Sequence, residues 1–218
     1  MIILAIDTCM AACSAALLDD DRVLAAQSEP MSRGHQERLA PMVGALMARA
    51  GIGFGKVARV GVTVGPGSFT GLRVGLAFAK GLGAALDIPV IGVGVLEVLA
   101  APYAATCATV FPVLEAKRDQ VYLQAFAKGA PLMAPDGLEI SVAMARVVEL
   151  AGSGPVILVG TGTAAMSGAA PGARLILADH VDPVDLARLA AGKPAIAPRP
   201  LYLRAPDAKL PGGKDLHA

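Results

Sequence analysis

The run GPGSFTGLRVG, Gly65 to Gly75, sets a hydroxyl, Ser68, among glycines at the point where an apolar stretch gives way to a helical pattern. Three kinds of chemistry fit that placement. A serine on a sharp strand-to-helix turn can be a nucleophile, as in a GxSxG elbow. Here the order is Gly-Pro-Gly-Ser-Phe, and Phe69 stands where the elbow needs a second small residue, which argues against that use. A helix start preceded by Gly65 and Gly67 can also present free N–H groups to an anion, with Ser68 and Thr70 beside them. The plainest use is capping, in which Ser68 or Thr70 satisfies the N–H groups that a first helical turn leaves open. Capping is the expected job. Gly160-Thr161-Gly162, after the apolar run Val156 to Val159, offers a second loop of the anion-binding kind, and the two loops together read as the remains of a nucleotide cleft.

The cysteines carry less. Cys9, Cys13 and Cys107 form an odd set without CxxC spacing, in a chain too large to depend on disulfides. No histidine stands in an obvious supporting role, so each reads as a small buried hydrophobe in a reducing compartment.

The elements that must position these residues follow from periodicity. Ala58 to Val64 is rich in β-branched residues and stops at a Gly/Pro breaker, so it predicts a buried strand. Thr70 to Leu86 predicts a helix stopped by Asp87 to Pro89, and Val90 to Val95 predicts the next strand, completing a βαβ unit. Inside the helix, Gly71, Gly75 and Gly83 fall on one row with Ala79 filling the gap, and Gly81 adds a fourth glycine. Glycines in a helix interior cost about 0.8 to 1 kcal/mol each relative to alanine, so a close approach of another backbone is expected along that row.

Before this unit, Ile2 to Ile6, Cys13 to Leu18 and Arg22 to Ser28 read as strands, followed by a helix Gln36 to Ala50. After it, a second half opens similarly, with strands Thr109 to Leu114 and Val121 to Phe126 across a polar turn. Helix Val142 to Leu150, strand Val156 to Val159, a short strand Leu175 to Leu177 and helix Val184 to Ala191 follow. The chain therefore divides into 1–99 and 100–218. Periodicity alone gives α/β with a mixed sheet.

The two helices of the first half carry a surplus of apolar surface. Thr70 to Leu86 has only Arg73 and Lys80 as charged positions, and Leu72, Gly75, Leu76 and Ala79 belong to an apolar arc covering more than half its circumference. Gln36 to Ala50 sets Leu39, Val43, Leu46 and Met47 along one stripe with Met42 at its edge. These nine positions are candidate partner-interface residues. A core within the same chain is the competing reading.

Composition narrows the classes further. The 218 residues are 55% hydrophobic, enough for one large core or two small ones, and a formal charge of +1 gives no basic field to hold a phosphate backbone unaided. The start MIILAID lacks a basic leader, and Leu150 to Ala173, although uncharged, is broken by glycines and prolines, so a soluble, cytoplasmic protein without membrane contact is expected.

GPGSFTGLRVG, with Ile3 to Thr8, Cys13 to Leu17, His35 to Pro41, Glu115 to Tyr122 and Pro200 to Arg204 in the same order, resembles the TsaB family, also called YeaZ and once classed with glycoproteases as peptidase M22. Support is weak only over Lys128 to Ala197. The resemblance implies an actin-like ATPase fold (ASKHA, ribonuclease H-like), two duplicated subdomains each with a mixed sheet flanked by helices. In active members of that fold the opening hairpins carry Asp-x-Gly, because a Cβ would crowd the phosphate at the turn. The turns here are Asp7-Thr8-Cys9 and Glu115-Ala116-Lys117-Arg118, with an acid in each and a glycine in neither. Asp7, Thr8, Gly65, Gly67, Ser68, Thr70, Gly160 and Gly162 are accordingly expected to form degenerate nucleotide or anion loops, with no ATP bound by this chain alone. The catalytic relative TsaD holds metal through a histidine pair at i and i+4. Here Leu39 stands four residues after His35, so no metal is expected.

What the resemblance implies is a non-catalytic subunit supporting TsaD in making threonylcarbamoyladenosine beside the anticodon of tRNA. A TsaE-type ATPase would join the assembly, the free chain would pair with itself, and tRNA would be met only through the complex. An actin-fold kinase or ATPase is the alternative, and a metalloprotease a weaker one.

Overall fold

The computed structural model describes residues 1–204. Ile2–Asp7 is apolar at every position but the last, and it forms a strand, β1, buried along nearly its whole length. It pairs antiparallel with β2 (Ala12–Asp19), placing Asp7 opposite Ser14, and β2 pairs with β3 (Arg22–Pro30). Asp20 turns that second connection in a left-handed conformation at φ 51°, which short polar side chains tolerate. Helix α1 (His35–Ala50) leads to β4 (Val57–Thr63), which runs parallel to β1 with Val62 opposite Ile6. Helix α2 (Phe69–Leu86) then crosses over to β5 (Val90–Val93), parallel to β4. The first sheet is ordered β3-β2-β1-β4-β5.

The strand expected to run to Val95 stops at Val93. Val95–Ala100 instead forms a short helix, α3, because Gly94 breaks the run and Val95, Leu96, Val98, Leu99 and Ala100 all reach the interior in helical form. A β-branched run concealed that switch.

The second sheet repeats the opening device. β6 (Thr109–Ala116) turns into β7 (Gln120–Leu123), and two short strands, β8 (Phe126–Ala127) and β9 (Ala130–Pro131), fold back beside β6. β10 (Asp136–Glu139) pairs with β7, helix α4 (Ile140–Ala151) follows, and β11 (Val156–Val159) and β12 (Arg174–Ile176) add parallel strands on the other side of β6.

Helix α5 (Pro183–Gly192) crosses the division expected at residue 99. It lies in the second half of the sequence, yet its buried face, Leu186, Ala187 and Ala190, packs on β1, β2 and β4. A Cβ on Gly61 would sit 2.7 Å from Ala190, while Gly75 of α2 faces the adjacent Val62. Alternate residues of a strand point to opposite faces, so α5 and α2 cover the two sides of the first sheet, which explains why β1 has no wet face. One large core spans the first sheet and one face of β6 and β11, and a smaller one lies beneath α4. Among the described residues no helix is long and apolar enough to cross a membrane.

Candidate functional site

The glycine-rich run clasps the first hairpin. Ser68 is the N-cap of α2, and its hydroxyl accepts from Gly71 N at 3.2 Å, as capping predicts. Ser68 N donates to the Cys9 carbonyl at 2.7 Å, and the Thr8 hydroxyl donates to the Gly71 carbonyl at 2.6 Å. The glycines permit this approach. A Cβ on Gly67 would lie 2.2 Å from Cys9 O, and one on Gly71 would lie 1.9 Å from Thr8 O. On Gly75 it would meet the Thr8 hydroxyl oxygen at 2.6 Å. The backbone close to α2 is therefore the chain's own. N–H groups that could have met an anion are partly spent on it, and Thr70 lies exposed at the helix start. Gly81 does not share this reason, since a Cβ there would meet nothing within 4 Å.

Asp7 stands at the carboxyl end of β1 beside this clasp and is completely buried. One carboxylate oxygen accepts from the Thr63 hydroxyl at 2.6 Å and from Cys9 N at 3.0 Å; the other has no partner. Burial pushes the carboxyl above its ordinary range, against the opposing effect of those two hydrogen bonds. Burial raises the neighbouring thiols as well, that of Cys13 to about 11, so neither Cys9 nor Cys13 is a reactive thiolate. Cys107 is exposed, unlike the other two. His35 is buried with Nε2 unpartnered, and Leu39 follows it into the core. Among the described residues no three His, Cys, Asp or Glu side chains gather as a metal would require. His217 lies outside the described residues.

The second hairpin is built differently. Gly160 has φ 127°, and a Cβ there would lie 2.2 Å from Val113 O; one on Gly162 would meet the Val113 side chain at 2.8 Å. Glu115 N donates to the Thr161 hydroxyl at 3.0 Å, and Gly160 N donates to Ile176 O at 2.9 Å. Here too the loop grips a strand of its own chain. The turn beyond it is open, with Glu115, Lys117 and Arg118 exposed and both Arg118 and Asp119 in left-handed conformations.

The nine candidate interface residues lie inside the single chain. Leu39, Met42, Val43, Leu46, Met47, Leu72, Gly75, Leu76 and Ala79 are all buried in the single chain, the most accessible side chain among them being Leu76 at 6%. The apolar stripes of α1 and α2 face their own sheet, which takes up the surface that the helical pattern left unassigned. The exposed positions include small residues, Ala40 and Ala48 on α1 with Gly44 half-buried between them, and Ala77, Gly81 and Ala84 on α2, beside the polar and charged Gln36, Glu37, Arg49, Arg73 and Lys80.

Sequence reasoning also missed an aromatic stack at the start of α2. Phe69 is 53% exposed and Tyr202 47%, with ring centres 5.5 Å apart, and the Arg73 guanidinium lies 3.8 Å over the Phe69 ring. Residues 199–204 form a strap that holds Tyr202 there, through Leu201 N donating to Val64 O at 2.8 Å and Arg204 donating to Lys117 O at 3.2 Å. The only hint was that both partners sit in the motifs GPGSFTGLRVG and Pro200 to Arg204.

Comparison with known proteins places this geometry. Residues 27–169 match the family model described as TsaD, tRNA N6-adenosine threonylcarbamoyltransferase. The tRNA threonylcarbamoyladenosine biosynthesis protein TsaB of Bacillus subtilis is 38% identical over 56% of this chain and 53% of its own length, and that of Escherichia coli 41% identical over 46% and 43%. The alignments thus span about half the length of these curated relatives. Among solved structures, YeaZ from Pseudomonas aeruginosa superposes with a TM-score of 0.75 at 30% identity, over 87% of this chain and 90% of that one. The ROK hexokinase of Thermus thermophilus, at 14% identity and a TM-score of 0.51 over 88% and 98%, shares the fold alone. Two mixed sheets with helices on their faces, each opened by a hairpin, make this an actin-like ATPase fold, and the chain belongs to the TsaB (YeaZ) family.

Proposed function

We propose that this chain is a non-catalytic subunit of the cytoplasmic machinery that builds threonylcarbamoyladenosine on tRNA, working beside a TsaD-type transferase and a TsaE-type ATPase. Its named relatives serve that biosynthesis. The observation that carries the non-catalytic reading is the clasp: the first hairpin's backbone, where an active member of this fold would receive phosphate, is met by Gly67 and Gly71 of the same chain. Asp7, the acid at that turn, is sealed from solvent. On this reading neither ATP nor a metal is bound by the isolated chain.

The partner, TsaD or a second copy, docks on the outward faces of α1 and α2. Those helices touch each other, and among their exposed positions Ala40 and Ala48 with Ala77, Gly81 and Ala84, next to the half-buried Gly44, are small enough for helices to approach closely. Val74, Phe78 and Leu82 flank them half-buried. Ala77→Glu should therefore weaken self-association or TsaD binding by an order of magnitude or more while leaving the melt nearly unchanged. Leu76→Glu, one residue round the helix, should collapse the melt. Light scattering on a sizing column and thermal melting separate the two, and intact assembly of Ala77→Glu would remove this face from the account. Depleting the protein in cells and measuring threonylcarbamoyladenosine in bulk tRNA tests the pathway itself.

A further inference from the structure

Asp7 is the only carboxylate among the described residues that is buried outright. It stands where β1 runs into the clasped tip of the hairpin, residues 8–11, and its bonds tie that tip to the sheet. Oδ1 accepts from Cys9 N, in the tip, and from the Thr63 hydroxyl, on β4, while Oδ2 has no partner. A buried carboxylate with one bare oxygen is costly as an anion and much less so as a neutral acid.

No ion pair among the described residues offsets that cost. The groups that face Asp7 are Ser14 across the β1–β2 pair with Cys13 next to it, Thr63 on β4, Cys9 in the tip, His35 at the start of α1 and His180 ahead of α5. Positive charge on either histidine favours the anion, but burial outweighs both. The other charges nearby are engaged elsewhere: Asp179 with His180, Asp182 with Val184 N, Asp185 with Arg188, and Glu29 of β3 with Arg38. From α2 the uncharged Ser68, Gly71 and Gly75 reach this end.

We propose that Asp7 is a proton-operated latch on the first hairpin: protonated, it keeps residues 8–11 closed on the start of α2, and on losing its proton it lets that tip open more often while the sheet stays folded. Opening frees Cys9 N from Asp7, Ser68 N from the Cys9 carbonyl and the Thr8 hydroxyl from the Gly71 carbonyl, and it hydrates Oδ2. It leaves Ile3 to Ile6 in the core and exposes little beyond Thr8, Cys9 and the half-buried Met10, so it costs far less than unfolding. In the open tip Asp7 titrates in the ordinary aspartate range, near about 4, and in the closed tip it holds its proton to higher pH. Between those two values the opening constant rises about tenfold per pH unit, and above the closed value it stays level. None of this depends on the partner or the pathway.

The test is hydrogen exchange of the full chain, followed residue by residue by NMR from about pH 4 to about pH 8, with each rate divided by the intrinsic rate at that pH. Protection of the Cys9 and Ser68 amides should fall about tenfold per pH unit and then level off. Both should exchange at least about 100-fold faster than Ala5 in β1, and a little urea should speed Ala5 but not them, because local opening exposes little surface. Asp7→Asn should remove the pH dependence at Cys9 and Ser68. Thr63→Val takes away a donor that favours the anion, so the decline should run to higher pH before it levels. His35→Gln, which removes the other buried titratable side chain facing Asp7 from a helix, should leave the decline in place. If Asp7→Asn does not fold, the other two variants carry the test. A decline that survives Asp7→Asn, one that disappears in His35→Gln, or a levelling point that Thr63→Val fails to raise overturns the proposal. So do Cys9 and Ser68 amides that match Ala5 in rate and in urea response, because the tip would then open only when the chain unfolds.

Discussion

The two opening hairpins of this molecule were expected to fail as phosphate sites for one reason, a missing glycine, yet they are built in opposite ways. In the first, the turn is sealed: Asp7 is buried, and Ser68 N and the Gly71 carbonyl hydrogen-bond to Cys9 and Thr8. In the second, Gly160 and Gly162 grip the strand at Val113 and Leu114, and the turn itself stays open with Glu115, Lys117 and Arg118 in solvent. The difference shows two ways in which backbone room beside a hairpin can be taken up by the chain itself. In both halves the glycines sit on the element facing the hairpin, and the space they create is filled by the same chain.

Substitutions that remove this room should break the comparison first. Gly71→Ala puts a Cβ 1.9 Å from Thr8 O, backbone against backbone, with no flexible neighbour to yield. A loss upward of about 3 kcal/mol is expected, or roughly 6 to 12 °C in a melt. Gly160→Ala combines a 2.2 Å approach to Val113 O with a φ of 127°, but next to an open turn that has more freedom to shift. It should cost about 2 kcal/mol. If the order is reversed, the first hairpin is not the tighter of the two.

The two acids sharpen the comparison. Folding raises Asp7 above its unfolded pKa, so between those two values the folded state holds the extra proton and stability falls as pH rises. Asp7→Asn should therefore remove a decline in melting temperature that the wild type shows as pH climbs from the ordinary aspartate range through the folded pKa. Glu115→Gln, a change on an exposed side chain, should alter stability by no more than about 0.5 kcal/mol. A decline that survives Asp7→Asn would mean that another group causes it. The one effect of opposite sign belongs to Gly81→Ala: with nothing within 4 Å of the new Cβ, helix propensity alone should stabilise the chain by about 0.8 to 1 kcal/mol.

Much of this was legible in the sequence because it depends on local pattern. The β4–α2–β5 crossover was readable from β-branched residues, a breaker and a capping serine, and the glycine row correctly announced a close backbone, although not whose it was. What pattern could not show were contacts between distant segments. Leu72 and Leu76 read as partner surface because a helical wheel cannot say which neighbour a face meets, and the neighbour was their own sheet. α5 was placed with the second half because nothing in Val184 to Ala191 records that it returns to β1 and β4. Thr63 is an ordinary strand residue until its hydroxyl is seen on Asp7, and Tyr202 an ordinary tail residue until the strap is seen lying over Phe69.

The central claim is that the backbone room at the first hairpin is occupied by the chain itself and is closed to phosphate. Calorimetric titration of the purified full chain with ATP and magnesium tests it most directly. The account predicts binding no tighter than about 1 mM, near 4 kcal/mol, unchanged by Asp7→Asn. Micromolar binding that Asp7→Asn abolishes would contradict it, because the hairpin would then have to open to a nucleotide that the clasp excludes.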